Sequence, residues 1–145
     1  MQSYSHEEIS SAWAKIRERY PKPKYSIRVA VYNAAAAVWK GFLDITPGEV
    51  QDVLQINVAA AFSFSREAIL EFKENEIQEA VGKRGTLIFT GATASIRGNV
   101  TTSAFAAAKH AQRALSQSLA KEFGKQNIHV AHVSFVYQGW TNLTE

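Results

Sequence analysis

Thr101-Thr102-Ser103-Ala104-Phe105-Ala106-Ala107-Ala108-Lys109-His110-Ala111 runs on without Gly or Pro through Gln112 to Phe123 and meets Gly124. That continuity predicts one long helix over 103–123, with Gly124 where helices commonly close. The β-branched segment from Asn127 to Val136 follows at once and reads as a strand. Upstream, Gly85-Thr86-Leu87-Ile88-Phe89-Thr90-Gly91 is a second strand between turn signals, joined to the helix by a loop through Gly98 and Asn99. Further back, Thr46-Pro47-Gly48-Glu49 starts a helix: Thr46 caps, Pro47 suits the first helical position and Glu49 completes a capping box. No Gly or Pro recurs until Gly82, so this helix is expected over 47–81, bent midway. Tyr25 to Asn33 is short, apolar and β-branched, a strand expected over 27–33. Ser5 and Glu8 form the box of a first helix, on which Ile9, Trp13, Ile16 and Tyr20 recur at helical spacing until Pro21 and Pro23 stop it.

Helix and strand alternate three times, which favours an α/β domain with a parallel sheet and right-handed crossovers. Strands are expected near 27–33, 86–91 and 128–136, in one domain over 1–145. With 46% hydrophobic and 20% charged residues the composition is that of an ordinary globular chain. A net charge of +3, dispersed along the chain, is too small for a nucleic-acid footprint, so no nucleic-acid partner is expected. Zero cysteines exclude a disulfide scaffold and a thiolate zinc site. No apolar run nears the roughly 18 residues of a spanning helix, and the polar opening is unlike a targeting segment. No membrane association and a cytoplasmic location are therefore expected.

His129 and His132, three apart on a strand, should face opposite ways, so no metal site is expected. Gly-x-Ser-x-Gly, a Walker-type phosphate loop, His-Glu-x-x-His and Gly-x-Gly-x-x-Gly are absent from the 145 residues. Phe105 and Lys109, four apart, share one helix face. On residue type alone Lys109 is a solvated charge on an alanine-rich helix, and Asn57 a mid-helix polar residue that bends the helix and bonds locally.

Four segments in register change that reading: Tyr32-Asn33-Ala34-Ala35, Ile56-Asn57-Val58, Phe105 to Lys109 with the helix around it, and Asn127-Ile128-His129-Val130. Together they resemble the short-chain dehydrogenase/reductase family over most of the chain. The resemblance implies a partial Rossmann-like three-layer α/β fold, a parallel sheet of about three strands flanked by helices. It implies NAD(P) as cofactor, with Asn33 and Lys109 on the cofactor side, and a catalytic set at Asn57, Phe105 and Lys109. In that family a tyrosine at the position of Phe105 protonates the carbonyl oxygen, and a serine matching Ala92 bonds the substrate oxygen. Phenylalanine has no proton to give and alanine no hydroxyl; Thr93 and Ser95 are the nearby hydroxyls on the substrate side. The family's glycine-rich pyrophosphate turn precedes everything seen here, and its final glycine after the Asn33 strand is Ala35.

The expectation is a truncated or degenerate member with impaired or no independent catalysis. The alternative is an atypical NAD(P)-dependent oxidoreductase of carbonyls or alcohols that uses Lys109, Thr93 or water as proton donor. Two contacts are expected: a homodimer through the 47–81 and 103–123 helices, where Ala107, Ala111, Ala114 and Ser118 form a small-residue stripe, and a protein partner at the exposed edge of the 27–33 strand.

Overall fold

The chain is described by a computed structural model over residues 4–135. Helix α1 (His6–Arg19) begins where the Ser5 hydroxyl accepts the Glu8 N–H at 3.2 Å. It buries Ile9 and Trp13, while Ile16 and Tyr20 stay exposed at the end that runs out towards Pro21. Arg17 ties it down by reaching the buried carboxylates of Glu67 and Glu71. Strand β1 (Val29–Tyr32) is shorter than the expected 27–33, because the Ile27 carbonyl accepts from the Asn75 side chain. Helix α2 (Pro47–Leu54) opens with the Thr46–Glu49 capping box in place, and its Lys40 partner helps hold the Glu49 carboxyl down at about 2.

The bend expected midway is a π-turn over Gln55–Ala59, after which α3 (Ala60–Lys73) continues the rod. The helix stops at Lys73, eight residues before the expected 81. Buried Asn75 explains the stop: its side chain donates to the carbonyls of Ile27 and Arg84, at 2.8 and 3.0 Å, and draws the chain off the helix towards the sheet. Strand β2 (Gly85–Ala92) and helix α4 (Ser103–Phe123) lie within a residue of expectation, and strand β3 (Ile128–Phe135) starts where expected, its expected last residue, 136, lying outside the described residues. Gly124 does not close α4 in a left-handed conformation; it enters a short 3₁₀ turn, and Asn127 at φ 59° makes the reversal into β3.

The three strands pair in parallel in the order β1-β2-β3, with Ala30 beside Leu87 and Leu87 beside Val130. The fold is thus the Rossmann-like α/β arrangement expected. Side chains alternate across each strand. Ala30, Tyr32, Leu87, Phe89, Ile128 and Val130 meet Trp13, Ile69, Phe72 and Leu115 in one core. Val29, Val31, Val133 and Phe135 face the other way and are exposed. Among the described residues every helix packs on the first face, so of the three layers they supply two, with β1 as an edge.

His129 and His132 take opposite faces, as their spacing requires, and no group of three metal-ligating side chains occurs among the described residues. His132 lies on the helix-covered face over Gly91, where any Cβ would stand 2.1 Å from its Cε1, so only glycine leaves room for the ring. Its Nε2 is buried without a partner. Burial, reinforced by the charges of Lys109 and Arg113, holds its pKa below the ordinary value. Between that lowered value and about 6.5 the unfolded chain binds more protons than the native one, so stability rises with pH across this window. Chemical unfolding of the wild type should therefore need less urea at about pH 5 than at about pH 7, with a smaller difference in His132→Gln. Equal pH dependence in the two proteins would contradict this.

Candidate functional site

The carboxyl ends of parallel strands are where α/β folds gather their reactive groups. Here β2 ends at Ala92 and turns through Thr93–Ser95, a turn that Ser95 helps to close. Ser95 is fully buried, and its hydroxyl accepts the Ala92 N–H at 3.1 Å. Thr93 is half-buried, and its carbonyl accepts from Ile96 and Arg97. The next loop reaches α4 through Thr101, a non-glycine residue at φ 65°, and the Thr101 carbonyl takes the Lys40 N–H at 3.2 Å. The loops after β1 and β2 are thereby joined.

Lys109 is no solvated charge. It is 3% exposed, and its ammonium donates to the Thr90 carbonyl at 2.9 Å and to Gln112 Oε1 at 3.1 Å. Among the described residues no carboxylate pairs with it, and burial alone lowers its pKa. One turn earlier, Phe105 sets its ring 5.9 Å from the Lys109 nitrogen and 5.4 Å from the Trp39 ring. Trp39 comes from the loop after β1 and is 62% exposed, so the two rings form an aromatic shelf beside the cation.

Asn57 sits in the π-turn, fully buried. Its Nδ2 donates to the carbonyls of Ala36 at 2.7 Å and Val53 at 2.8 Å, while Oδ1 is buried without a partner. The local bond to Val53 is what residue type predicts; the bond to Ala36, across 21 residues, is not local. Tyr32 donates its hydroxyl to the Ile56 carbonyl in the same turn, and burial pushes that phenol's pKa up. Gln112 Nε2 donates to the Asn57 carbonyl at 3.3 Å.

Asn57, Phe105, Lys109 and the end of β2 before Ala92 are thus drawn into one neighbourhood. Asn33 lies exposed just past β1, outside this hydrogen-bonded set. Reasoning from sequence passed over Gln112 and Trp39. For Gln112 a signal existed: it stands three residues after Lys109, on the helix face that also carries Leu115 and Ser116, all of them buried. Trp39 carries none, since a loop of 14 residues between β1 and α2 leaves its position to tertiary contacts. Chemically the site offers a dry ammonium, an aromatic wall and an unpaired amide oxygen. It holds no side chain at position 105 that can give up a proton.

The family profile described as short chain dehydrogenase matches residues 1–145. A curated relative, 3alpha-hydroxysteroid dehydrogenase of Mediterraneibacter gnavus, is 30% identical over 109 residues, which are 75% of this chain and 41% of that protein. A solved short-chain dehydrogenase from Rhodopseudomonas palustris superposes with a TM-score of 0.77 at 30% identity, over 92% of this chain and 57% of that one. A 4-hydroxyisoleucine dehydrogenase complexed with NADH and succinate shares the fold at a TM-score of 0.80 and 23% identity, over 100% of this chain and 63% of that one. The chain spans between two fifths and two thirds of the length of these relatives. It belongs to the short-chain dehydrogenase family.

Proposed function

We propose that residues 1–145 act as one Rossmann-like domain of this family whose own carbonyl–alcohol chemistry is impaired. The observation that carries the reading is Phe105. It stands one helical turn before the buried Lys109, with its ring against Trp39, where a general acid would have to stand. Ala92 adds to it, since its side chain has no hydroxyl and the Ser95 hydroxyl is fully buried in the turn. Loss of general-acid catalysis costs about 10²–10⁴ in rate and loss of a polarising donor about 10²–10³, and the two do not simply multiply.

NAD(P) is the proposed cofactor, supported by relatives solved with NADH or with NADP. The residues present fit one end of it. Lys109, without a carboxylate partner among the described residues, and Asn57, with an unpaired amide oxygen, are polar groups suited to the nicotinamide side, and Asn33 is proposed there from the family resemblance. A pyrophosphate cradle has no counterpart among the 145 residues, which hold no Gly-x-Gly-x-x-Gly. When bound, the dinucleotide supplies hydride transfer; what this chain's residues supply is position for the cation and an aromatic wall. An atypical oxidoreductase is the second reading. It is favoured by the burial that lowers the Lys109 pKa towards the range of a proton donor, with half-buried Thr93 close by in sequence.

Self-association through α2–α3 and α4 belongs to the same proposal. Between α3 and α4 runs a groove of about 270 Å³ lined by Phe62, Ile69, Leu70, Leu115, Leu119 and Phe123. Ala107, Ala114 and Ser118 are exposed along α4, with Ala111 half-buried beside them. The edge strand β1, with Val29 and Val31 exposed, is the proposed contact for a protein partner. The cytoplasm is the proposed location; among the described residues no helix is long and apolar enough to cross a membrane.

Titration with NADH and NADPH, read by cofactor fluorescence and thermal shift, should show weak or no binding. Phe105→Tyr combined with Ala92→Ser should leave carbonyl reduction within about tenfold of the parent chain, because the phosphates still lack a cradle. A gain of about a hundredfold or more would contradict the reading. Light scattering at tens of micromolar should report a dimer that Ala114→Arg converts to monomer. A wild-type monomer would remove the proposed interface.

A further inference from the structure

Gln112 is fully buried, and both ends of its carboxamide are engaged: Oε1 accepts from Lys109 Nζ at 3.1 Å and Nε2 donates to the Asn57 carbonyl at 3.3 Å. These contacts admit one orientation of the amide. Turned over, its NH₂ would face an ammonium and its oxygen a carbonyl, two repulsive contacts in a dry place. The Asn57 carbonyl lies within the π-turn, where bonding shifts so that Ala60 N–H meets the Gln55 carbonyl. Such turns redirect helical carbonyls to other donors, and here Tyr32 takes Ile56 while Gln112 takes Asn57.

From Gln112 the bonds run in two directions. One passes through Lys109 to the Thr90 carbonyl on β2; the other passes through Asn57, whose side chain reaches the Ala36 carbonyl in the loop after β1. An apolar residue of similar size at 112 would fill the space equally well. It would also strip an acceptor from the ammonium and leave the Asn57 carbonyl unpaired, so filling space does not explain a glutamine here.

We infer that Gln112 is a positioning residue: its carboxamide fixes the Lys109 ammonium to the bulged turn of Asn57 and against the Thr90 carbonyl. The inference rests on the proposal above that Lys109 is the cation of the site. A carboxamide neither gains nor loses a proton near neutral pH, so this link sets the position of the charge without conducting protons between Lys109 and Asn57. His132 on β3 faces the same charge, which helps to hold its pKa below the ordinary value.

The test is an NMR titration of the lysine side-chain nitrogens in the unliganded full chain, with the Lys109 signal assigned by its loss in Lys109→Met. Gln112→Glu keeps an acceptor on Lys109 and adds a negative charge, so the Lys109 midpoint should move up by about one pH unit or more. Gln112→Leu removes the acceptor, and the midpoint should move down by a similar amount. A Lys109 midpoint that stays within about 0.2 of wild type, or falls, in folded Gln112→Glu overturns the inference, whatever happens to stability. Should Gln112→Leu fail to fold, Gln112→Glu decides alone by the same criterion. No cofactor is added, so failure here is distinct from failure of NAD(P) binding.

Discussion

An ammonium held out of water at the carboxyl end of a strand survives only if acceptors replace its hydration, and the arrangement around Lys109 follows from meeting that need. The Thr90 carbonyl is available because the ladder between β1 and β2 ends one residue earlier, where Tyr32 lies beside Phe89. The second acceptor, Gln112, is on the same helix one turn on, so α4 has to lie with this face against β2 and against the π-turn. That turn is bulged, and its shifted bonding turns the Asn57 carbonyl towards Gln112. Four elements are thereby set relative to one another by a single buried charge and the groups that satisfy it.

The same geometry separates what the domain keeps from what it lacks. Position 105 is held next to the cation, yet it presents a phenyl ring packed on Trp39. The Ser95 hydroxyl accepts the Ala92 N–H within the turn after β2. Under the proposed reading, the scaffold for a polar reaction is kept while position 105 has no proton to give. Among the described residues the sheet face with Val29, Val31, Val133 and Phe135 exposed lies opposite the helices, so contacts made there need not disturb the packing that holds Lys109.

Legibility in the sequence followed the range of the interactions. Ser5 with Glu8, and Thr46 with Glu49, are caps whose partners lie three residues apart, and both appear where residue type places them. Strand and helix order came from periodicity and held. The stop at Lys73 was hidden because no Gly or Pro marks it; the cause is Asn75, bonded to Ile27 across 48 residues. Gly124 caps α4 where the sequence places it, yet in a right-handed conformation, and the left-handed residue is Asn127 three positions on. Within the site, the family pattern pointed to Asn57 and Lys109, whereas the long-range partner of each, Ala36 in one case and Thr90 in the other, is set by the tertiary fold. Residue type alone favoured a solvated Lys109, which shows how little an alanine-rich helix reveals about which face is dry.

The central claim is that Lys109 and Gln112 act as one buried unit with the turn at Asn57. A double-mutant cycle on unfolding free energy, with Lys109→Met, Gln112→Leu and the pair, measures it most directly. Each single change leaves a buried polar group without its partner, and the pair removes both at once, so the double variant should be more stable than additivity predicts by about 1–3 kcal/mol. Effects that add to within about 0.5 kcal/mol would contradict the account.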